Sequence, residues 1–281
     1  MTFEGRTIAF IGGGMMGTAM MRGALERELV QLSQVTVSDP NQERGALLKQ
    51  TYGVRYIQDN VAAAQGADVV VLAIKPQFFD SVVADLGGRV GDASVIVSIM
   101  AGVAIETICN RLETTQVVRA MPNTPGAIGM GMTAWMATND VTAVGVEMAA
   151  LLLGSLGETL LVAEERYLDI ATAVSGSGPA YVFLFMESMI DAAVHMGFGR
   201  ADAEKLVMQT LYGSIAYARE SGEHPAALRN QVTSPGGTTA EALFHMERGG
   251  LRNTVARGMW AALQRSIALG GGEPRNPDTG D

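Results

Sequence analysis

Residues 8–17, IAFIGGGMMG, decide the fold of this chain. Four apolar residues predict a buried strand, and Gly12, Gly14 and Gly17 follow at G-x-G-x-x-G spacing before a helix predicted over 16–28. Such a helix N-terminus offers unpaired N–H groups to a dinucleotide pyrophosphate, provided that no side chain blocks the approach. A plain glycine turn is the alternative, but strand, turn and helix in this order favour a nucleotide site. The residues expected to form it are Gly12, Gly13, Gly14, Met15, Met16 and Gly17.

Strands and helices alternate along the first part of the chain. Strands are predicted at 8–11, 35–38, 54–57, 69–74, 94–98, 116–119, 132–136 and 158–162, and the continuous apolar runs among them are typical of a parallel sheet covered on both faces. This pattern predicts an α/β fold with a Rossmann-type dinucleotide-binding domain over residues 1–163.

The pattern becomes helical after residue 163. Helices are predicted at 166–174, 179–196, 200–221, 225–231, 238–248 and 251–269. We therefore expect an all-helical domain over residues 164–270. Residues 271–281, rich in glycine, proline and charge, are expected to be a disordered tail.

Composition excludes several classes of partner. The net charge is −9 and the 20 Lys and Arg residues form no basic run, so we expect neither nucleic acid nor a membrane as a partner. The single cysteine, Cys109, lies in a helical context and allows no intramolecular disulfide. Without a signal segment before the first strand, the sequence predicts a cytoplasmic protein. Its 48% hydrophobic content favours a soluble oligomer.

The run 180–194 is the most apolar segment of the second half. It contains Glu187 and Asp191 and is shorter than the roughly 20 residues that a spanning helix needs. It therefore predicts a buried or interfacial helix.

Metal chemistry is not expected. The 3 histidines, His195, His224 and His245, are far apart and form no H-x-x-H pattern, so each is interpreted as a surface or capping residue. No Ser-His-Asp arrangement can be argued from the sequence either.

Several residues at strand ends are candidates for the cofactor. Asp39 follows the second strand about twenty residues after the last glycine, where an acid usually accepts the ribose hydroxyls of NAD. NADP would be disfavoured unless Ser38, Asn41 and Arg44 turn the loop so that Asp39 points away. Lys75 is either a catalytic or cofactor residue or a solvated loop residue before Pro76.

Small residues mark a further strand end and three loops. Ala101 and Gly102 would let a nicotinamide ring approach the backbone, although a plain turn explains them almost as well. Residues 121–126, MPNTPG, predict a rigid loop at the carboxyl end of a strand, where a site role is favoured over a plain connector. Residues 175–178, SGSG, form either a helix hinge or part of a site. Residues 233–239, TSPGGTT, open a helix whose free N–H groups would cradle a small carboxylate, and helix capping alone is the alternative.

Six segments together carry a resemblance to a known family. IGGGMMG (11–17), AIKPQ (73–77), SIMAGV (98–103), RAMPNTPGAIGMG (119–131), AVSGSGPAYVF (173–183) and TSPGGTTAEAL (233–243) resemble pyrroline-5-carboxylate reductases, in order and over nearly the whole chain. The resemblance implies reduction of 1-pyrroline-5-carboxylate to L-proline by hydride transfer from NADPH, with NADH possible. It also implies that the helical domain forms a homodimer or a ring of dimers.

The resemblance assigns a role to each motif. The glycine turn would hold the pyrophosphate, and Ser38, Asp39 and Asn60 would lie near the adenosine ribose. The other residues implied to contact the cofactor are Ala73, Lys75, Pro76, Ala101, Gly102 and Asn123. Those implied to border the substrate are Met121, Pro122, Ser177, Gly178, Ser234, Gly236, Gly237, Thr238 and Thr239, partly across the dimer.

Imine reduction needs no dedicated histidine, because the imine is basic enough to arrive protonated. Ser175, Thr239 or a water molecule is the expected proton donor. Met15 departs from the family, which commonly has Asn at this position, but the backbone cradle is unaffected. The alternatives are another imine or hydroxy-acid reductase and a non-catalytic nucleotide-sensing scaffold. Hydroxy-acid reductases usually have a lysine on the helix that begins the second domain, and residues 166–174 contain none.

Overall fold

The computed structural model describes residues 3–91 and 94–273. They form two compact units, a sheet unit that runs up to Ser177 and resumes from Ala261, and a helical unit, Gly178–Trp260. The predicted boundary at 163–164 marks the change from strands to helices, and its status as a domain boundary stays a prediction. Most of the expected disordered tail, 274–281, lies outside the described residues.

The sheet unit contains one eight-stranded sheet of order β3-β2-β1-β4-β5-β6-β7-β8. Its strands are β1 Ile8–Ile11, β2 Val35–Ser38, β3 Arg55–Ile57, β4 Val69–Leu72, β5 Val95–Ser98, β6 Val117–Met121, β7 Gly131–Ala137 and β8 Gly157–Leu161. The pairs from β3 to β6 are parallel, β7 is antiparallel to β6, and β8 is parallel to β7. The predicted Rossmann-type fold is confirmed, and the strand order reverses between β1 and β4.

Helices cover both faces of the sheet. They are α1 Met15–Glu26, α2 Gln42–Tyr52, α3 Asn60–Ala64, α4 Phe79–Leu86, α5 Ile105–Leu112 and α6 Ala143–Gly154. Ile8 and Phe10 of β1 pack into one apolar cluster, whereas Ala9 and Ile11 pack into another. Because successive side chains of a strand point to opposite faces, this alternation explains why the central strands are apolar at every position.

The second half of the chain is helical, as predicted. Its helices are α7 Arg166–Ala171, α8 Gly178–His195, α9 Arg200–Ser221, α10 Pro225–Gln231, α11 Thr238–Arg248 and α12 Leu251–Leu269. The bounds of α9 to α12 agree with the sequence prediction, and His224 caps α10 by accepting a bond from the Ala226 N–H at 3.1 Å. A π-helical turn, Thr172–Gly176, follows α7 and was not predicted.

The helical unit buries few of its apolar side chains. Its core cluster holds the buried residues Ile190, Ala203 and Val207, with five partly buried neighbours. Large apolar side chains stay exposed along α8, α9 and α11. They include Val182, Phe183, Leu184, Phe185, Leu206, Met208, Tyr212, Ile215, Tyr217, Phe244 and Met246. Exposed apolar surface on this scale marks an interaction face.

One helical stretch among the described residues, 166–195, is long and apolar enough to cross a membrane by length and composition, with 11% of its most apolar window buried. From the sequence, residues 180–194 were considered too short to span a membrane. The helical stretch that contains them is longer, so that argument from length was wrong. The alternative that this segment is a buried core helix is also wrong for the single chain, because Phe183 is 59% and Leu184 64% exposed. The exposure of this face agrees with the predicted alternative of an interfacial helix.

Candidate active site

The glycine turn after β1 is shaped by close backbone packing. Gly12 has φ +104°, and a Cβ there would lie 2.5 Å from the carbonyl oxygen of Ala73. At Gly17, a Cβ would lie 2.4 Å from the carbonyl oxygen of Gly12. The Gly12 N–H also donates to Ser38 O at 2.7 Å. The first and third glycines are therefore required by the turn itself, and Ala73 lies directly against it.

The N-terminus of α1 is open. Gly14 is its N-cap and provides no side-chain bond to the first turn. A Cβ at Gly14 would meet no atom within 4 Å, and Met15 is 65% exposed. An open cavity of about 460 Å³ borders Gly13, Gly14, Met15 and Arg44. Uncapped N–H groups facing open space suit a pyrophosphate, so the turn fits the phosphate end of a dinucleotide.

Asp39 is turned towards the glycine turn and is buried. Its Oδ2 accepts bonds from the Gly13 N–H at 2.9 Å and the Arg44 guanidinium at 3.1 Å, and its Oδ1 accepts from the Asn41 N–H at 2.9 Å. The Asp39 side chain is 3% exposed and that of Arg44 is 47% exposed. The carboxylate thus fixes the turn, and Arg44 is the charged group left at the surface.

Tyr56 supports the same loop by donating from its hydroxyl to the backbone oxygen of Asp39 at 2.9 Å. Burial, and then the charge of Asp39, raise the pKa of the Tyr56 hydroxyl. The phenol therefore stays protonated and remains a donor at neutral pH.

Ser38 and Asn60 are held together beside this loop. The Ser38 hydroxyl donates to Asn60 Oδ1 at 2.7 Å, and Asn60 Nδ2 donates to Asp85 Oδ2 at 2.8 Å. The residues expected near the ribose are thus close to one another. After β4, Lys75 is exposed and Pro76 begins a short 3-10 turn.

Gly102 has a packing reason to be glycine. Its φ is +72°, and a Cβ there would lie 2.8 Å from Leu269 Cβ at the end of α12. The open space that we expected beside Gly102 is therefore taken by Leu269. That Ala101 and Gly102 lie next to a nicotinamide stays a prediction, and Gly102 would make such a contact through its backbone atoms.

The loop after β6 and the π-helical turn meet. Asn123 Nδ2 donates to Ser175 O at 3.1 Å, and Asn123 Oδ1 accepts from the Met132 N–H at 2.9 Å. A Cβ at Gly176 would lie 2.8 Å from Met121 Cε. Two of the predicted motifs, 121–126 and 175–177, thus form one structure, and Pro122 is buried within it.

The π-helical turn also determines what Ser175 can do. The Ser175 hydroxyl donates to Ala171 O at 3.1 Å, and the Ser177 N–H donates to Thr172 O at 2.8 Å. In this arrangement the proton of the Ser175 hydroxyl is engaged by the backbone. Single π-helical turns are frequent at functional sites.

The loop 234–239 belongs to the helical unit. Gly236 has φ +71°, the Gly237 N–H donates to Ser234 O at 3.0 Å, and a Cβ at Gly237 would lie 2.4 Å from Ser234 Oγ. Gly237 is the N-cap of α11 and provides no side-chain bond. Thr238 is exposed and Thr239 half-buried, whereas Gly178 begins α8 with no atom near its missing Cβ. The loop has the tight, uncapped form expected of an anion cradle.

Arg119 is a buried cation that sequence reasoning missed. Its side chain is 5% exposed and lies 2.6 Å from Glu165 Oε1 and 3.4 Å from Asp169 Oδ1. The available signal was an arginine inside the apolar strand β6, because a buried charge needs partners. Within the described residues, no three His, Cys, Asp or Glu side chains group as metal ligands.

A doubly wound sheet with an uncapped glycine turn at its strand-order reversal is the arrangement of a Rossmann-type dinucleotide-binding domain, the class of fold that NAD(P)-dependent oxidoreductases use. Two family models match, one described as pyrroline-5-carboxylate reductase dimerisation over residues 165–269, the other as NADP oxidoreductase, coenzyme F420-dependent, over residues 7–102. The chain belongs to the pyrroline-5-carboxylate reductase family, as the following relatives show.

The chain is 38% identical to the pyrroline-5-carboxylate reductase of Synechocystis sp., over 94% of this chain and 98% of that protein. It is 36% identical to that of Escherichia coli over the same shares. A crystal structure of Plasmodium falciparum pyrroline carboxylate reductase with NADP bound has a TM-score of 0.86 at 30% identity, covering 95% of this chain and 99% of that one. The Coxiella burnetii enzyme has a TM-score of 0.87 at 34% identity, covering 94% and 98%.

Replacing Gly14 by Ala tests whether the open space in front of α1 holds the dinucleotide. The added methyl meets no protein atom, so the free energy of unfolding should change by less than about 1 kcal/mol. NADPH binding should weaken at least about tenfold, because the methyl narrows the approach to the N–H groups. Thermal unfolding and NADPH fluorescence titration measure the two effects.

Gly12→Ala is the contrasting variant, since its methyl collides with Ala73 O and should destabilise the fold. Unchanged NADPH affinity in a folded Gly14→Ala protein would place the pyrophosphate elsewhere.

Proposed function

We propose that this chain reduces the C=N bond of 1-pyrroline-5-carboxylate to L-proline, the last step of proline biosynthesis, with a hydride from NADPH. The observation that carries the proposal is the open N-terminus of α1 at the strand-order reversal, in a chain whose relatives over 94% of its length are pyrroline-5-carboxylate reductases. Bound NADPH supplies the hydride, and the protein supplies position.

The residues of the sheet unit bind and orient the cofactor. The N–H groups at the start of α1 hold the pyrophosphate, Ser38 and Asn60 border the adenosine half, and Lys75 lines the cofactor channel. The joined loops 121–123 and 175–177 form a rigid wall for the reacting ring, since Asn123 bonds both to Ser175 O and to the Met132 N–H. Such a wall holds the hydride donor against one face of the imine.

The loop 234–239 binds the carboxylate of the imino acid. Uncapped N–H groups at the start of α11 and the hydroxyls of Ser234, Thr238 and Thr239 suit an anion without an arginine. The ring nitrogen arrives protonated or takes its proton from Thr239 or water. Thr239 is favoured over Ser175, whose hydroxyl is engaged by Ala171 O.

NADPH is favoured over NADH by the loop after β2. Asp39 is buried and both of its oxygens accept bonds from protein donors, which disfavours the contact with ribose hydroxyls that NADH would use. Arg44 is half exposed beside the glycine turn. Its guanidinium is the group that suits a 2′-phosphate.

The apolar faces of α8, α9 and α11 support self-association, as does the match of residues 165–269 to a dimerisation family. In a homodimer this surface would be buried. The proposal extends to a ring of such dimers, and to a carboxylate loop that serves the site of a partner subunit. We place this enzyme in the cytoplasm, which agrees with a biosynthetic role that uses NADPH. We expect neither nucleic acid nor a membrane as its partner.

The purified protein is expected to oxidise NADPH when given 1-pyrroline-5-carboxylate and to form proline in equal amount, because each hydride reduces one imine. NADH should serve less well, with a higher KM. Cofactor absorbance and amino-acid analysis provide the measurements. Binding of NADPH without turnover with either cofactor would contradict the reductase proposal and favour the nucleotide-sensing scaffold.

Gly237→Val tests the carboxylate loop. The larger side chain collides with Ser234 Oγ, so KM for the imino acid should rise about tenfold or more, whereas KM for NADPH should change less than about twofold. Gly154→Val is the control, because a Cβ there meets no atom within 4 Å and the residue ends α6, outside the carboxylate loop. Equal changes in both Michaelis constants would show that the loop does not hold the substrate.

Arg44→Met tests the phosphate contact. Loss of a charge-assisted bond should raise KM for NADPH about tenfold and leave KM for NADH within about twofold. Arg55→Met, which removes an exposed arginine of the neighbouring strand β3, is the matched control. If Arg44→Met raised KM for both cofactors equally, Arg44 would serve the turn rather than the 2′-phosphate.

A further inference from the structure

Arg119 joins segments that are distant in sequence within the sheet unit. It lies in β6, two residues before Met121, with its guanidinium on Glu165 at 2.6 Å and on Asp169 at 3.4 Å. The Arg119 side chain is 5% exposed, and those of Glu165 and Asp169 are 31% and 21% exposed. One cation therefore fixes two carboxylates from the start of the helix that leads to the π-helical turn.

Glu165 extends the connection to the turn after β5. Its Oε1, the same atom that accepts from Arg119, also accepts from the Ile105 N–H at 2.8 Å. Ile105 is the first residue of α5, three residues after Gly102. The position of the turn at Gly102 thus depends on the carboxylate that Arg119 holds.

Asp169 connects Arg119 to the end of the C-terminal helix, α12. Its Oδ1 accepts from the Ser266 hydroxyl at 2.9 Å, and Ser266 is buried. One turn further along α12, Leu269 fills the space beside Gly102. Gly102 is therefore held from two sides by the same charged cluster.

We propose that Arg119 is a positioning residue for hydride transfer, a role that rests on the proposed reductase function. Through Glu165 and Ile105 it fixes the backbone at Gly102, and through Asp169 and Ser266 it fixes the helix end that packs on Gly102. The loop 121–123 begins on its own strand. These segments are the ones that we place around the nicotinamide, so the cluster sets the distance and angle of the transferred hydride.

Stability alone does not account for this cluster. A buried ion pair contributes little net stability compared with apolar side chains of the same volume, because both charges lose their hydration. What it supplies is directional bonds of fixed length. A displacement of about 1 Å in a reacting group is enough to lower a rate about a hundredfold.

Three variants test the proposal. Ser266→Ala removes one hydroxyl, Arg119→Lys keeps the charge but loses the forked geometry, and Arg119→Met removes the charge. The matched control is Arg166→Met at the first residue of α7, which breaks an exposed ion pair with Glu164. We expect kcat to fall about threefold, tenfold and a hundredfold in the three variants, with the Kd for NADPH within about twofold of the wild type. The control should retain the wild-type kcat.

A second measurement needs no turnover. The nicotinamide fluorescence of bound NADPH, recorded without substrate, should shift towards that of the free cofactor in Arg119→Lys and Ser266→Ala, while thermal unfolding shows both proteins to be folded. Unchanged fluorescence with unchanged kcat in these two folded variants would overturn the proposal, as would losses of kcat that merely follow losses of NADPH affinity. A wild-type protein that binds NADPH but reduces no imine would refute the proposed function, and the fluorescence shift would still decide the role of Arg119.

Discussion

The close approach of Gly12 to Ala73 is the constraint on which the sheet unit depends. Neighbouring strands β1 and β4 end side by side, and a Cβ at Gly12 would lie 2.5 Å from the Ala73 oxygen. Because the two backbones meet this closely, the chain can turn sharply into α1 with its first N–H groups facing outward. The Gly13 N–H then binds the buried carboxylate of Asp39, which brings the end of β2 to the same point. Close packing and this hydrogen bond thus place the uncapped N–H groups at the start of α1 at one edge of the sheet.

The sequence predicted the architecture well because the fold depends on local and periodic signals. Apolar runs predicted the strands. Helical periodicity with flanking Gly and Pro predicted both end residues of each helix from α9 to α12. The π-helical turn at Thr172–Gly176 has no such signal, since it differs from an α-helix by one inserted residue. It arises where Gly176 packs on Met121, a contact distant in sequence.

The candidate site was predictable in its parts but not in its connections. Glycine spacing indicated the turn, yet the orientation of Asp39 depends on donors at Gly13, Asn41 and Arg44 that only the folded loop assembles. Leu269 packs where a Cβ of Gly102 would lie, a contact distant in sequence, and the role of Gly102 beside a nicotinamide stays a prediction. Apolar periodicity likewise does not distinguish a core helix from an interface helix, because both present the same stripe of side chains.

The shallow core of the helical unit has a consequence for the behaviour of the protein in solution. A unit that buries only Ile190, Ala203 and Val207 fully among its apolar residues gains little free energy from folding by itself. Most of the stabilisation of α8, α9 and α11 must then come from association, so their stability rises with protomer concentration by mass action. Dilution would loosen these helices before the sheet unit, and assembly and folding of this half of the chain form a single equilibrium.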